Sequence, residues 1–160
     1  MTLRAGIGFD THRLEAGRRL VLGGVEIEGA PAGLAGHSDA DVLTHAVIDA
    51  LLGAAGLGDI GQHFPDTDER WRDADSMAML RSVVAMLAER GLRVEHVDTT
   101  LLMERPKVAG LRDAIRTSLA EGLGVRSEQV NVKATTGEGM GFVGRQEGVA
   151  ALAVATLERV

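Results

Sequence analysis

Cysteine and tyrosine are absent from this 160-residue chain, and one tryptophan and three phenylalanines are its only aromatic rings apart from histidine. Without thiols there is no disulfide and no thiolate metal site, so any bound metal must be held by His, Asp or Glu. So few rings exclude the base-stacking platforms of single-strand nucleic-acid binders. Positive charge is also in deficit. A formal charge of −6 argues against sequence-independent binding to DNA, RNA or an anionic membrane, while leaving room for a local basic pocket around a small anion. No apolar run reaches the ~20 residues of a membrane span, and no basic segment leads into a long apolar stretch near the N-terminus. The expectation is a soluble, unprocessed, cytoplasmic protein.

What remains is a Leu, Val, Ile, Ala and Met core with 21 glycines for tight turns. The length suits one domain over residues 1–160, because a chain of about 150 residues hides roughly two thirds of its unfolded surface. Residues 3–9 and 19–27 read as strands forming a hairpin, the second interrupted at Gly23 and Gly24, and residues 29–36 read as a loop. A helix follows, with Ser38 and Asp41 as a capping-box-like start and apolar residues at 42, 43, 46, 47, 50 and 51. Further helices are expected over 74–90, closed by Gly91, and over about 108–121; strands are expected over 92–103 and 129–136. The last segment, GVAALAVATLERV, fits helix or strand. Alternation of strands with amphipathic helices predicts an α/β two-layer sandwich, one mixed sheet with helices on one face and the other face free for a partner subunit.

Chemistry is concentrated in a few strings. In GFDTHRL, extended backbone turns Asp10 and His12 to one side, where a carboxylate and an imidazole can meet one cation. On the helix after Ser38, Asp41, His45 and Asp49 recur every four residues, and His45 is the natural third ligand. Two His and one carboxylate suit Zn²⁺ and leave a position open for substrate. A chance surface pair with a solvent-facing His45 fits the same spacing. His37 and Ser38 near the helix start suit a phosphate or, equally, plain N-capping by Ser38. Asp59, Asp66 and Asp68 in GDIGQHFPDTD suit sugar hydroxyls, a cation or simple turns. Only Lys107 and Lys133, of 17 basic residues, are lysine; both flank loops, where a compact ammonium suits a phosphate or base carbonyl. In KATTGEGMGF, Thr135, Thr136 and exposed glycine N–H groups suit an anion nest with Glu138 holding Mg²⁺, or a flexible turn.

GFDTHRL, GHSDADVLTHAVIDALLGAAGLGDIG, FPDTD, RPK and NVKATTGEGMGFVGRQEG, in this order over about residues 5–148, together resemble the 2-C-methyl-D-erythritol 2,4-cyclodiphosphate synthases of the non-mevalonate isoprenoid route. The resemblance implies a phosphorus–oxygen lyase that cyclises 4-diphosphocytidyl-2-C-methyl-D-erythritol 2-phosphate and releases CMP. It also implies a homotrimer with active sites between subunits. Asp10, His12 and His45 fall to Zn²⁺, one per subunit. His37, Ser38, Asp59, Ile60, Gly61 and the loop Phe64, Pro65, Asp66, Thr67 and Asp68 match the methylerythritol and ribose side. Met103, Pro106, Lys107, Val108 and Ala109 match the cytosine pocket. Thr135, Thr136 and Glu138 match the diphosphate with its Mg²⁺ or Mn²⁺, and His37 and Thr136 match the transition-state-stabilising positions. Phe142 and Arg145 match residues near the trimer axis. Gly110 departs from the pattern, since many relatives carry a proline there to close the cytosine loop. Two other readings stay in view: a zinc hydrolase that activates water, and a metal-binding nucleotide sensor without turnover.

Overall fold

The computed structural model describes residues 2–160. Along the chain run β1 (Leu3–Ala16), β2 (Val21–Leu22), β3 (Val25–Glu26), β4 (Ala32–Leu34), α1 (Val42–Ala55), α2 (Ile60–His63), α3 (Ser76–Ala88), β5 (Leu92–Leu102), α4 (Arg112–Leu123), β6 (Val130–Thr135), α5 (Gly141–Gly144) and β7 (Gly148–Arg159). Five strands form one mixed sheet in the order β4-β1-β7-β5-β6. Among the described residues only the β5–β6 pair is parallel.

The expected hairpin between residues 3–9 and 19–27 does not form. β1 continues through Asp10 and His12 to Ala16 and pairs with β7, while its far end pairs with β4, drawn from the segment read as a loop. Residues 21–26 close on themselves as a two-stranded ribbon, because Gly23 (φ 58°) and Gly24 (φ 79°) both take left-handed backbone that side chains disfavour. The last segment is strand β7. It stands between β1 and β5, and it is apolar on both faces, Ala151, Ala153 and Ala155 buried and Leu152 and Val154 exposed, so it carries no polar alternation for sequence to reveal.

α1 is capped by Asp41, not Ser38: the Asp41 carboxylate accepts from Thr44 N at 3.0 Å. It also accepts from the N–H groups of Gly23 (2.9 Å) and Gly24 (2.7 Å), which ties the ribbon to the helix start. Burial pushes the Asp41 carboxyl above its usual range against these bonds. α1 then lies on β1 and β7 with α3 packed beside it, so that nearly all of it is buried. Each fully buried large side chain, such as Leu43, Ile48, Leu51 and Leu52, contributes about 1.5–3 kcal/mol.

Close approach of α1 to β1 depends on small residues. A Cβ at Gly6 would lie 2.1 Å from the Ala50 carbonyl oxygen, and one at Gly8 only 1.8 Å from that of Ala46. In the alternation Gly6, Gly8, Asp10, His12, the first two positions admit the helix backbone and the next two meet its first turns. Among the described residues, the opposite sheet face stands open: Ile7 is 69% and Phe9 55% exposed, with Leu152 and Val154 beside them.

Candidate active site

Asp10 and His12 on β1 converge with His45 on the first turns of α1. His12 Nε2 lies 2.8 Å from Asp10 Oδ2 and 3.2 Å from His45 Nδ1, and His45 Nδ1 lies 3.2 Å from Asp10 Oδ2. The other ring nitrogens are already engaged. His12 Nδ1 sits 2.8 Å from the Ala35 carbonyl, which only accepts, so Nδ1 carries a proton and Nε2 is the nitrogen free to ligate. His45 Nε2 faces the Ser76 hydroxyl at 2.7 Å and that of Ser38 at 3.2 Å, leaving Nδ1 toward Asp10 and His12. Three donor atoms within 4.8 Å of one another, one anionic and two imidazole, form a set that suits a divalent cation. Burial raises the Asp10 carboxyl, but the hydrogen bond from His12 and the adjoining His45 imidazole outweigh it and bring the value down to about 2. For His12 burial acts downward, and the bond to Asp10 carries it above 6.5.

Beside these ligands opens a cleft of about 390 Å³ lined by His12, His45, His37, Ser38, Ile60, Gly61, Phe64, Pro65 and Asp66. The Ser38 side chain is turned inward to His45 and accepts from Ala40 N, so it does not cap α1. Asp41 on Thr44 N supplies the helix cap that Ser38 was expected to give. His37 Nε2 is held 3.2 Å from the Asp68 carbonyl. Asp59 caps α2 through Gln62 N, and Asp49, read as part of the polar ridge, accepts from Ile60 N at 2.7 Å and so anchors α2 to α1. Asp68 caps the turn Glu69–Trp71 and pairs with Arg70. These aspartates are turn-makers that shape the cleft. Thr67 and Asp68 belong to the same loop without lining it.

Trp71 went unread in the sequence. It lines the cleft and meets Phe64 edge-on, with centroids 4.9 Å apart at 83°. Being the only tryptophan, five residues past Asp66, was the available signal.

The second group gathers elsewhere. Met103, Pro106, Lys107, Val108, Ala109, Thr135 and Thr136 line a small cavity of about 120 Å³ where the parallel strands β5 and β6 end, with Met103 N bonded to Thr135 O at 3.0 Å. Gly110 lies in a 3₁₀ turn closed by Leu111 N to Val108 O at 2.9 Å, so the loop keeps its shape without a proline. Lys133 is not at this cavity; its ammonium pairs with Asp98 at 2.7 Å. Glu138 is exposed on left-handed backbone (φ 53°). Two N–H groups of the expected nest are engaged: Gly137 N donates to Glu104, and Glu138 N donates to the Thr136 hydroxyl. Phe142 lines a hollow with Phe9, Thr11 and His12 on β1, and Arg145 pairs loosely with Glu147.

Sheet register relates the two groups. Thr11 and Leu102 both pair with Ala150, and Leu102 pairs with Thr135, so metal ligands and the cavity occupy the same end of the sheet. From β1 to β6 there are three strand spacings of about 4.8 Å, roughly 14 Å. Among the described residues none lines both cavities.

Comparison with known proteins adds the following. Residues 3–158 match the model of the YgbB family. A bifunctional enzyme IspD/IspF of Anaeromyxobacter dehalogenans is 63% identical over 154 residues, covering 96% of this chain and 39% of the relative. The 2-C-methyl-D-erythritol 2,4-cyclodiphosphate synthase of Salinibacter ruber is 57% identical, covering 98% of this chain and 99% of its own. A solved structure of such a synthase in a CDP-bound form superposes with a TM-score of 0.89 at 40% identity, over 97% of this chain and 100% of that one. The chain thus spans about two fifths of the bifunctional relative and nearly all of the single-function one.

Proposed function

The chain belongs to the YgbB family, and we propose that it is a single-domain 2-C-methyl-D-erythritol 2,4-cyclodiphosphate synthase, a cytoplasmic lyase of the methylerythritol phosphate route to isoprenoid precursors. Its substrate is 4-diphosphocytidyl-2-C-methyl-D-erythritol 2-phosphate. A 2-phosphate oxygen attacks the β-phosphorus, the bond from that phosphorus to the bridging oxygen breaks, and CMP departs with that oxygen. The nucleophile is already anionic, so no protein base is required. Charge repulsion and ring-closure entropy are the obstacles, and positioned donors and cations relieve both.

The convergence of Asp10, His12 and His45 beside the cleft is the observation that carries this reading. Both imidazoles have their outer nitrogens engaged, so their inner nitrogens and one carboxylate oxygen suit Zn²⁺ with a position left for a phosphate oxygen. Asp10, His12 and His45 would hold Zn²⁺, and Glu138 Mg²⁺ or Mn²⁺, and these ions when bound would supply charge neutralisation to the diphosphate. His37 and Thr136 donate to the developing charge. Ser38, Asp59, Ile60, Gly61 and the Phe64 to Asp68 loop hold the methylerythritol and ribose. Met103, Pro106, Lys107, Val108 and Ala109 hold the cytosine, and Thr135 the diphosphate.

The two halves lie on separate cavities of one chain, and an apolar sheet face is bare. Both features support a homotrimer in which each site draws the 37–68 elements from one subunit and the 103–138 elements from the next, with Phe142 and Arg145 near the axis. A ³¹P NMR time course with the diphosphocytidyl substrate tests the activity. Cyclic diphosphate with CMP is expected. A linear phosphate product would mean a hydrolase, and binding without turnover a nucleotide sensor.

A further inference from the structure

Ser76 is fully buried at the first position of α3, 31 residues from His45 in sequence, and its hydroxyl is the nearest neighbour of the His45 outer nitrogen at 2.7 Å. On its other side stands Asp39. The Asp39 Oδ1 accepts from the Ser76 hydroxyl and from Asp41 N at 3.2 Å, and Oδ2 accepts from Ser76 N at 3.0 Å. An ionised carboxylate only accepts, and a serine hydroxyl has one proton. That proton is committed to Asp39. Toward His45 the Ser76 oxygen therefore presents lone pairs, and the contact at 2.7 Å is attractive only if His45 carries its proton on Nε2. Ser38, 3.2 Å from the same nitrogen and already accepting from Ala40 N, is the weaker second contact and is compatible with this assignment.

We propose that Asp39 and Ser76 are positioning residues that set the tautomer of His45: Asp39 fixes the direction of the Ser76 hydroxyl, Ser76 holds the proton on Nε2, and the Nδ1 lone pair is thereby aimed at Asp10 and His12. This deepens, and rests on, the reading of Asp10, His12 and His45 as a cation site. The two histidines are secured by different means. His12 is fixed by the backbone carbonyl of Ala35, which no side-chain substitution removes, whereas His45 depends on a side-chain relay that single substitutions can reverse. In Asp39→Asn, one oxygen and one NH₂ cannot accept from both the hydroxyl and the backbone N–H of Ser76. If the NH₂ turns to the hydroxyl, that hydroxyl is freed to donate to His45 and moves the imidazole proton to Nδ1, the nitrogen that ligates.

The test is long-range ¹H–¹⁵N spectroscopy of the full chain labelled with ¹⁵N-histidine and stripped of metal, followed by titration with Zn²⁺ alone. At about pH 8, above the ordinary imidazole range, His45 of the unsubstituted protein is expected as the Nε2–H tautomer. Ser76→Ala and Asp39→Asn should shift the population toward Nδ1–H and weaken Zn²⁺ binding by about 10- to 100-fold, the usual effect of losing an outer partner of a ligating histidine. Val83→Ala, a buried α3 change outside the relay, should lower the melting temperature and leave both tautomer and affinity alone. A proton on Nδ1 in the unsubstituted protein would overturn the proposal without need of any variant, as would Asp39→Asn keeping both tautomer and Zn²⁺ affinity. A protein that shows the Nε2–H tautomer but binds no Zn²⁺ would instead refute the cation site and leave the relay standing.

Discussion

Gly8→Ala isolates the contact on which the metal ligands depend. Gly8 does not lie on left-handed backbone, so any cost of a side chain there is steric. The added Cβ would sit 1.8 Å from the Ala46 carbonyl oxygen and 2.8 Å from Ala50 N. Reaching an ordinary 3.4 Å contact requires α1 and β1 to part by about 1.6 Å, and neither obstructing atom can rotate away, because both belong to helix backbone. Overpacking of this kind costs about 1–3 kcal/mol, and rigid backbone on both sides puts this case at the upper end. For a chain of this size that lowers the melting temperature by roughly 6–12 °C. The parting also moves His45 from Asp10 and His12. Ligand positions tolerate about 0.2 Å, so Zn²⁺ affinity should fall by roughly 10²-fold or more. Gly53→Ala, on the same helix, is the contrast: its Cβ would meet only Gly6 Cα and the Ile7 carbonyl oxygen at 3.9 Å, so the gain in helix propensity, up to ~1 kcal/mol, should survive. Thermal melts and Zn²⁺ titration calorimetry read both. A Gly8→Ala protein with unchanged melting temperature and affinity would show that α1 does not rest on β1 as described.

Elemental analysis after dialysis should find about one Zn²⁺ per chain, and Asp10→Ala, His12→Ala and His45→Ala should each lose it while staying folded. The raised His12 value has opposite consequences for stability and binding. In the metal-free protein its contribution is present below 6.5 and is lost as pH rises through the folded value, whereas Zn²⁺ displaces that proton. Calorimetry at about pH 6 and about pH 8 should find tighter binding at the higher pH; equal affinities would refute the coupling. Lys107→Ala should raise KM and relax preference for cytidine over uridine substrates, while Thr136→Val should lower kcat by roughly 10²-fold, as steady-state kinetics on both substrates would reveal. Light scattering should give a trimer, and Ile7→Glu with Phe9→Glu, on the bare sheet face, should shift it to monomer and abolish cyclisation.

The sequence alone determined the periodic elements and the chemistry they carry. α1, α3, β5, α4 and β6 all stand close to where their apolar spacing puts them, and alternation in β1 was enough to pair Asp10 with His12. Tertiary structure decided what each element faces. β7 gave no period because it is apolar on both sides, and β4 is three residues that count as a strand only because β1 lies alongside. Ser38 and Asp41 are equally good caps by composition; the N–H groups of Gly23 and Gly24, brought from another segment, settled the choice for Asp41. Lys133 looked like Lys107 until β5 set Asp98 beside it. Most telling is the GIGFDTH string: two glycines of the expected strand, given no role by the sequence, are the floor on which α1 rests, and Ser76 on a later helix faces His45. Local backbone preference fixes which side chains share a face, and a single chain can be read for that. Which faces meet depends on contacts between residues distant in sequence, and those exist only once the chain has packed.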